Sequence, residues 1–429
     1  MFTANPNTMT FKTVFLAEYQ MSHFKQPVYQ VLADSRLESD LIKGQTVARS
    51  YASDVVVNTM GGDGGYSVQA ITDTQETLSI DQEKEASIYI KDLDLLQAHL
   101  PVKQKYGQKL ANAIINYIDG DILNVARSGA GSTVDNSDLG GTAGDGITVS
   151  ATNVATIFTL AMQKLQKKNV VYNANARFSG MKLDQPEGMP IAIITPEVLT
   201  YIQLYLGGKD TLLGDAVSKN GYRGSFMGFE LFMSNALPWT AVLSMPTILV
   251  DTDTITINGV VLTADADGAA VGAGHFSIQT TADLCRAQLV ALINDSGTAG
   301  ADEYIALSAA DRLLLKGITA VNDNAADTIT LTGVGTGPIV VSEGATPADC
   351  VWTAVTQLTH CIFGLSKSVS LVMSKNPSMK QRPSPQARVG DDFIVWTAYG
   401  RKVFVDQAPQ LVNVKINSSS FAAASNVQR

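Results

Sequence analysis

The spacing of apolar residues changes period along this chain, and each change marks an element. Leu78, Ile80, Ile88 and Ile90 fall at even intervals, which predicts half-buried strand with alternate side chains on one face and a break near Asp81. From 104 to 127 the period lengthens. Leu110, Ile114, Ile118, Ile122 and Val125 step by four, four, four and three, one stripe on a helix roughly 35 Å long at about 1.5 Å per residue. Such a stripe predicts core packing rather than a binding face.

Before these elements, two extended segments hinge on a glycine-rich tip, Asn58-Thr59-Met60-Gly61-Gly62-Asp63-Gly64-Gly65. A two-stranded ribbon is marginal alone in water, so the arm predicts a partner, most simply another chain. Between Arg49 and Lys84 there is no Lys or Arg, whereas Asp54, Asp63, Asp73, Glu76, Asp81 and Glu83 are acidic. An arm of this charge suits a basic or polar neighbour and not a nucleic acid.

Elsewhere the pattern is more ordinary. Residues 1–45 form an N-terminal arm in which Phe15, Leu16 and Tyr19 are helically spaced, Pro27 interrupts, and 28–41 resumes as helix. The Gly, Ser, Thr and Asp of 129–146 predict a flexible loop. Ser150 or Thr152 is placed to cap a helix carrying Val154, Ile157, Phe158, Ala161 and Leu165 on one face. Pro190–Ile194 predicts a buried strand. Thr195 and Pro196 then open a helix as cap and first-turn proline, and Gly207-Gly208 ends it.

Composition adds one asymmetry. The 429 residues carry a net charge of −9 and 45% hydrophobic residues, ordinary for a folded chain of two or three domains. Yet 246–357 holds thirteen acidic and three basic residues, leaving the rest with 27 and 28. This acidic block reads as a separate inserted α+β module: an Asn258-Gly259 hairpin within 254–263, a helix over 282–294, and strands at 304–307, 328–332 and 339–342. After it, 391–396, 402–405 and 411–416 are strand runs.

The order of these parts resembles the major capsid proteins of tailed bacteriophages, a fold shared with encapsulin shells. The resemblance rests on 77–94, the long helix after it, Thr195-Pro196-Glu197-Val198-Leu199, the stretch 228–238, and the closing strands. It implies an α+β phage capsid fold with an extended loop (46–90), a peripheral domain (91–170 and 375–429), an axial domain (171–245 and 358–374), and an insertion domain (246–357). It also implies an icosahedral shell of pentamers and hexamers around packaged double-stranded DNA, assembled in the host cytoplasm. Scaffolding, portal and decoration proteins are the expected partners, and DNA is met non-specifically at the inner surface. An encapsulin-like compartment and, further off, a surface-layer protein or adhesin are the alternatives. The expected assembly contacts are Asp54, Asp63, Asp73, Glu76, Arg382 and Arg388. No long cleavable N-terminal extension is expected, and 50–83 of the extended loop holds no lysine of the kind that some relatives cross-link.

Enzymatic signals are poor. His23, His99, His275 and His360 are scattered, no metalloprotease or P-loop spacing occurs, and Gly224-Ser225-Phe226-Met227-Gly228 misplaces its serine for a nucleophile elbow. Gly333 to Gly337 reads as a hairpin turn before a dinucleotide loop. Asp265 to Gly268 and Asn322 to Asp327 read as Asx turns before calcium loops, lacking the terminal glutamate. The basic stretch 375–388 reads as solvated surface or a subunit contact before a DNA contact. Cys285, Cys350 and Cys361 have no metal or disulfide spacing and predict idle thiols. No cofactor, metal or membrane span is expected.

Overall fold

The computed structural model describes residues 27–40, 45–52, 55–60, 66, 68–91, 102–170, 177–178, 181–182, 188–209, 224–335, 338–344, 349–353, 356–384 and 390–418. Two sheets share one hydrophobic core. In the first, Ala33–Asp34, Val369–Pro383, Gly390–Lys402 and Gln82–Lys91 lie side by side. The long helix, Val102–Ser128, packs across this sheet with Leu110, Ile114, Ile118 and Ile122 buried and Val125 half-buried. The four-residue period thus does what it predicts, keeping one stripe against Phe393, Val395 and Tyr399.

The second sheet runs Ile318–Asp323, Thr328–Gly333, Trp239–Ser244, Leu358–Leu365, Pro190–Ile194, Phe229–Met233, Ser225–Phe226. Leu411–Asn417 also pairs with Leu358–Leu365, and Ser132–Val134 lies parallel to it. Its centre is wholly buried, from Ile191 to Ile194 and through Leu358–Leu365. Around Phe158 the rings of Phe226, Phe229 and Phe363 meet edge-on at 5.0, 6.1 and 4.8 Å, the arrangement aromatic quadrupoles favour. The helix Val154–Lys167 supplies Phe158 from the buried face its sequence predicts.

A second hydrophobic cluster holds the acidic region. Four strands, His275–Ser277, Val260–Asp265, Thr254–Ile257 and Val341–Glu343, pack Ile255, Ile257, Val260, Leu262 and Phe276 against the helix Ala282–Asn294. Asn258 and Gly259 both take positive φ, 51° and 84°, as a two-residue hairpin of this type requires. The cluster is not confined to 246–357: Trp239, Ala241, Leu243 and Met245 belong to it, and Thr328–Gly333 pairs with Trp239–Ser244. Arg286 is fully buried at this junction, donating to the Met245 carbonyl at 2.6 Å and pairing with Asp327 at 2.9 Å.

Several local expectations give way to long-range pairing. Within 28–40 the expected helix is split into a four-residue α-helix, Tyr29–Leu32, and a 3₁₀ turn, Arg36–Asp40, because Ala33–Asp34 between them joins the first sheet at Val369 and Ser370. The Asp119 carboxylate of the long helix accepts the Val28 and Tyr29 N–H groups at 2.8 and 2.7 Å and fixes that start. The 129–146 stretch is anchored, not free: Ser132–Val134 pairs with Val412 to Val414, and Asp135 makes a reciprocal capping box with Asp138. Asn153, with no side-chain cap bond of its own, precedes the helix at 154; its Oδ1 instead accepts from the Ser150 N–H. Residues 304–307 and 403–405 are not strands. Gly333 to Gly335 is not a hairpin turn, since Val341–Glu343 pairs in the other sheet with Thr254–Ile257. Val334 instead crosses the long helix so closely that a Cβ on Gly120 would sit 3.0 Å from its side chain.

Candidate assembly interface

The arm consists of Thr46–Ala52 and Asp73–Ser79, paired from Thr46 with Ser79 to Ala52 with Asp73. Its root is held by the body in three ways. Leu78 is 1% exposed in a small cluster with Val372 and Phe404. Arg49 donates to both Asp406 oxygens, at 3.2 and 2.6 Å, with its guanidinium 5.5 Å from the Phe404 ring centre. Glu76 accepts the Val405 N–H at 3.1 Å and lies 3.7 Å from the Lys402 ammonium. Alternation explains the last contact. Glu76 is two residues from Leu78 and shares its inward face, while Asp73 has the opposite parity and is exposed.

Beyond the root the character inverts. Val55, Val56, Val57, Met60, Tyr66, Val68 and Ile71 are all exposed, Val57 at 95% and Val68 at 81%. Contiguous apolar exposure of this kind marks an interaction surface. Gln69 ties the two sides together, its amide exchanging hydrogen bonds with the Val56 backbone at 3.0 and 2.6 Å.

A second surface lies on the first sheet. A groove of about 560 Å³ is lined by Glu83, Lys84, Glu85, Lys380, Gln381, Arg382, Ile394 and Trp396. Lys375 and Lys380 hold their ammonium groups 6.0 and 5.7 Å from the Trp396 ring centre, within cation–π range. Arg382 lies 4.0 Å from Asp392. The cations of 375–384 therefore alternate with carboxylates, which favours a protein partner over a phosphate backbone.

Of the expected contact residues, Asp54, Asp63 and Arg388 lie outside the described residues. Asp73 and Arg382 are exposed on separate surfaces, and Glu76 contacts Val405 and Lys402 of its own subunit. The sequence reading overlooks Arg401 and Asp121. Arg401 Nη2 donates to Asp121 Oδ1 at 3.0 Å, and Tyr399 donates to Asp121 Oδ2 at 2.7 Å. The available signal is a carboxylate at 121 beside the apolar stripe of a helix, a position that demands a partner.

His23 and His99 lie outside the described residues, and the other two histidines are each held by side-chain partners. His275 pairs with Asp265 at 2.8 Å, and His360 is buried between Thr240 and Asn413, at 2.9 and 3.0 Å. Burial, with Arg127 nearby, pushes the His360 pKa down to about 3. Among the described residues no group of three or more His, Cys, Asp or Glu suits a metal ion. Asp323 accepts the Ala325 and Ala326 N–H groups, an Asx turn. Cys285, Cys350 and Cys361 are free and buried, with burial raising their thiols to about 11, 12 and 12. No described helix is long and apolar enough to cross a membrane.

No protein-family model matches the sequence, and no curated protein does. Among solved structures, that of Mycobacterium phage Che8 is similar over 95% of this chain and 97% of its own, with 14% identity and a TM-score of 0.54. The fold is that of tailed-phage major capsid proteins. The capsid of cyanophage P-SCSP1u aligns over 94% of this chain and 92% of its own, at 12% identity and a TM-score of 0.46. The cyanophage Pam1 capsid aligns over 97% and 100%, at 11% identity and 0.45.

Proposed function

We propose that this chain is the major capsid protein of a tailed bacteriophage, a structural subunit that self-assembles into an icosahedral shell around packaged double-stranded DNA. The observation that carries the reading is the arm: a root clamped by ion pairs and Leu78 beneath an exposed apolar tip. A monomer gains nothing from aiming such a tip into water. Docked on a second copy, it removes apolar surface from water at roughly 25 cal/mol per Å². Each contact is weak, but many act together per subunit, and symmetry repeats them.

On this reading the chain is a virion component. The extended loop is 46–90, and 91–170 with 375–429 is the peripheral domain, which takes in the long helix. The axial domain is 171–245 with 358–374, and the insertion domain is 246–357. Scaffolding, portal and decoration proteins are its further partners. The insertion domain faces outward, where its excess of carboxylates stays hydrated and away from the genome. DNA contact is non-specific, through inner-surface cations.

The test is direct. Purified full-length chain, imaged by negative stain and followed by light scattering, should form closed particles or capsomer rings. Deleting 53–71 should leave a folded subunit that no longer does so. Normal shells from the deletion variant, or an inert monomer from the parent under all assembly conditions, would overturn the reading.

A further inference from the structure

The arm meets the body at a corner, Ile80-Asp81, between Asp73–Ser79 and Gln82–Lys91. One guanidinium spans that corner. Arg401 Nη1 donates to Asp81 Oδ1 at 3.1 Å, Nη2 donates to Asp121 Oδ1 at 3.0 Å, and Nε lies 2.6 Å from Asp121 Oδ2. Asp121 sits in the middle of the long helix and also accepts from Tyr399. Beneath the corner the strand passes so tightly that a Cβ on Gly400 would fall 2.4 Å from the Ser79 carbonyl oxygen. Helix, sheet and arm thus converge on a single side chain.

We propose that Arg401 is a positioning residue that couples the angle of the arm to the long helix. This inference rests on the assembly reading for its consequence, but not for its geometry. The root contacts of Arg49 with Asp406 and of Glu76 with Val405 and Lys402 tie the arm to the 402–406 turn. The Arg401 bridge, by contrast, ties the corner of the arm to the helix. A planar guanidinium can hold two carboxylates in fixed directions at once, whereas an ammonium is a single point charge. Asp121 is the more buried partner, with 10% of its side chain exposed against 54% for Asp81. Arg401→Lys therefore satisfies Asp121 and releases Asp81.

Two variants separate coupling from mere support. Asp81→Ala removes only the arm side of the bridge, and Arg401→Lys keeps a cation for Asp121. Amide exchange on the full chain should rise about two- to fivefold over 73–80 in both variants, the equivalent of one lost exposed ion pair. Exchange over 118–125 and the thermal midpoint should stay near those of the parent. Unchanged exchange at 73–80 in both variants, or a rise spread evenly over sheet and helix, would overturn the proposal. The consequence is read separately by microscopy: both variants should give particles of broader size distribution than the parent. A narrow, parental distribution from both would overturn the role in assembly. A parent that forms no particles at all counts against the capsid reading, while the exchange measurement still decides the coupling.

Discussion

The two ends of the arm are built on opposite principles. At the root, an apolar side chain is hidden and charged groups are paired: Leu78 with Phe404, Arg49 with Asp406, Glu76 with Val405 and Lys402. At the tip, valines, Met60, Tyr66 and Ile71 are left in water, and among its described residues there is no charged side chain. The root alone makes sense within one subunit. The difference assigns orientation to the root and association to the tip, and each can be attacked without the other.

The largest effect should come from the tip. Replacing Val57 and Val68 together with Asp places charge where the interface must be dry, so particle formation should fall below detection in light scattering. The monomer should keep its thermal midpoint, since neither residue contributes to a core. Retained assembly would remove the tip from the interface. Next in size is the root: Leu78→Ala empties a fully buried site and should cost about 2–4 kcal/mol in a denaturant titration. A cost near zero would mean that the arm is not seated on the body as described.

Acid should strike the body and spare the tip. His360 titrates near 3 when folded because burial opposes its charged form, against about 6.5 when unfolded. Between those values the unfolded chain binds more protons, so this contribution is complete above pH 6.5 and declines as pH falls. The slope approaches about 1.4 kcal/mol per pH unit. Thermal midpoints between pH 7 and 5 should show it, and His360→Gln should flatten the slope. An equal slope in that variant would place the acid sensitivity elsewhere.

How much of this was legible depended on how local the determinants are. The stripe from Leu110 to Ile122, the Asn258-Gly259 turn and the Thr195-Pro196 helix start are set by residues a few positions apart, and each appears where its spacing places it. The strands at 33–34 and 132–134 were not legible, because their partners lie at 369–370 and 412–414. The Arg401 to Asp121 contact spans 280 positions, beyond any window of periodicity. The intra-subunit contacts of Glu76 escaped the sequence for a different reason. Counting the arm's charges ignored the alternation that puts Glu76 beside Leu78 and Asp73 opposite.

That alternation gives the smallest and most discriminating test. Glu76→Ala removes the acceptor for the Val405 N–H and the partner of Lys402, both in partly exposed surroundings. The loss should be about 1 kcal/mol, since exposed ion pairs contribute at most about that much and one hydrogen bond a similar amount. Glu76→Gln keeps an acceptor oxygen and should lose less. Asp73→Asn, on the opposite face, should leave monomer stability unchanged within the error of a denaturant midpoint. The same order, Ala before Gln before Asn at 73, should appear in amide exchange over 74–79. An Asp73 variant as damaging as Glu76→Ala would mean that the arm presents its other face to the body, and the division between an inward root and an outward surface would have to be redrawn.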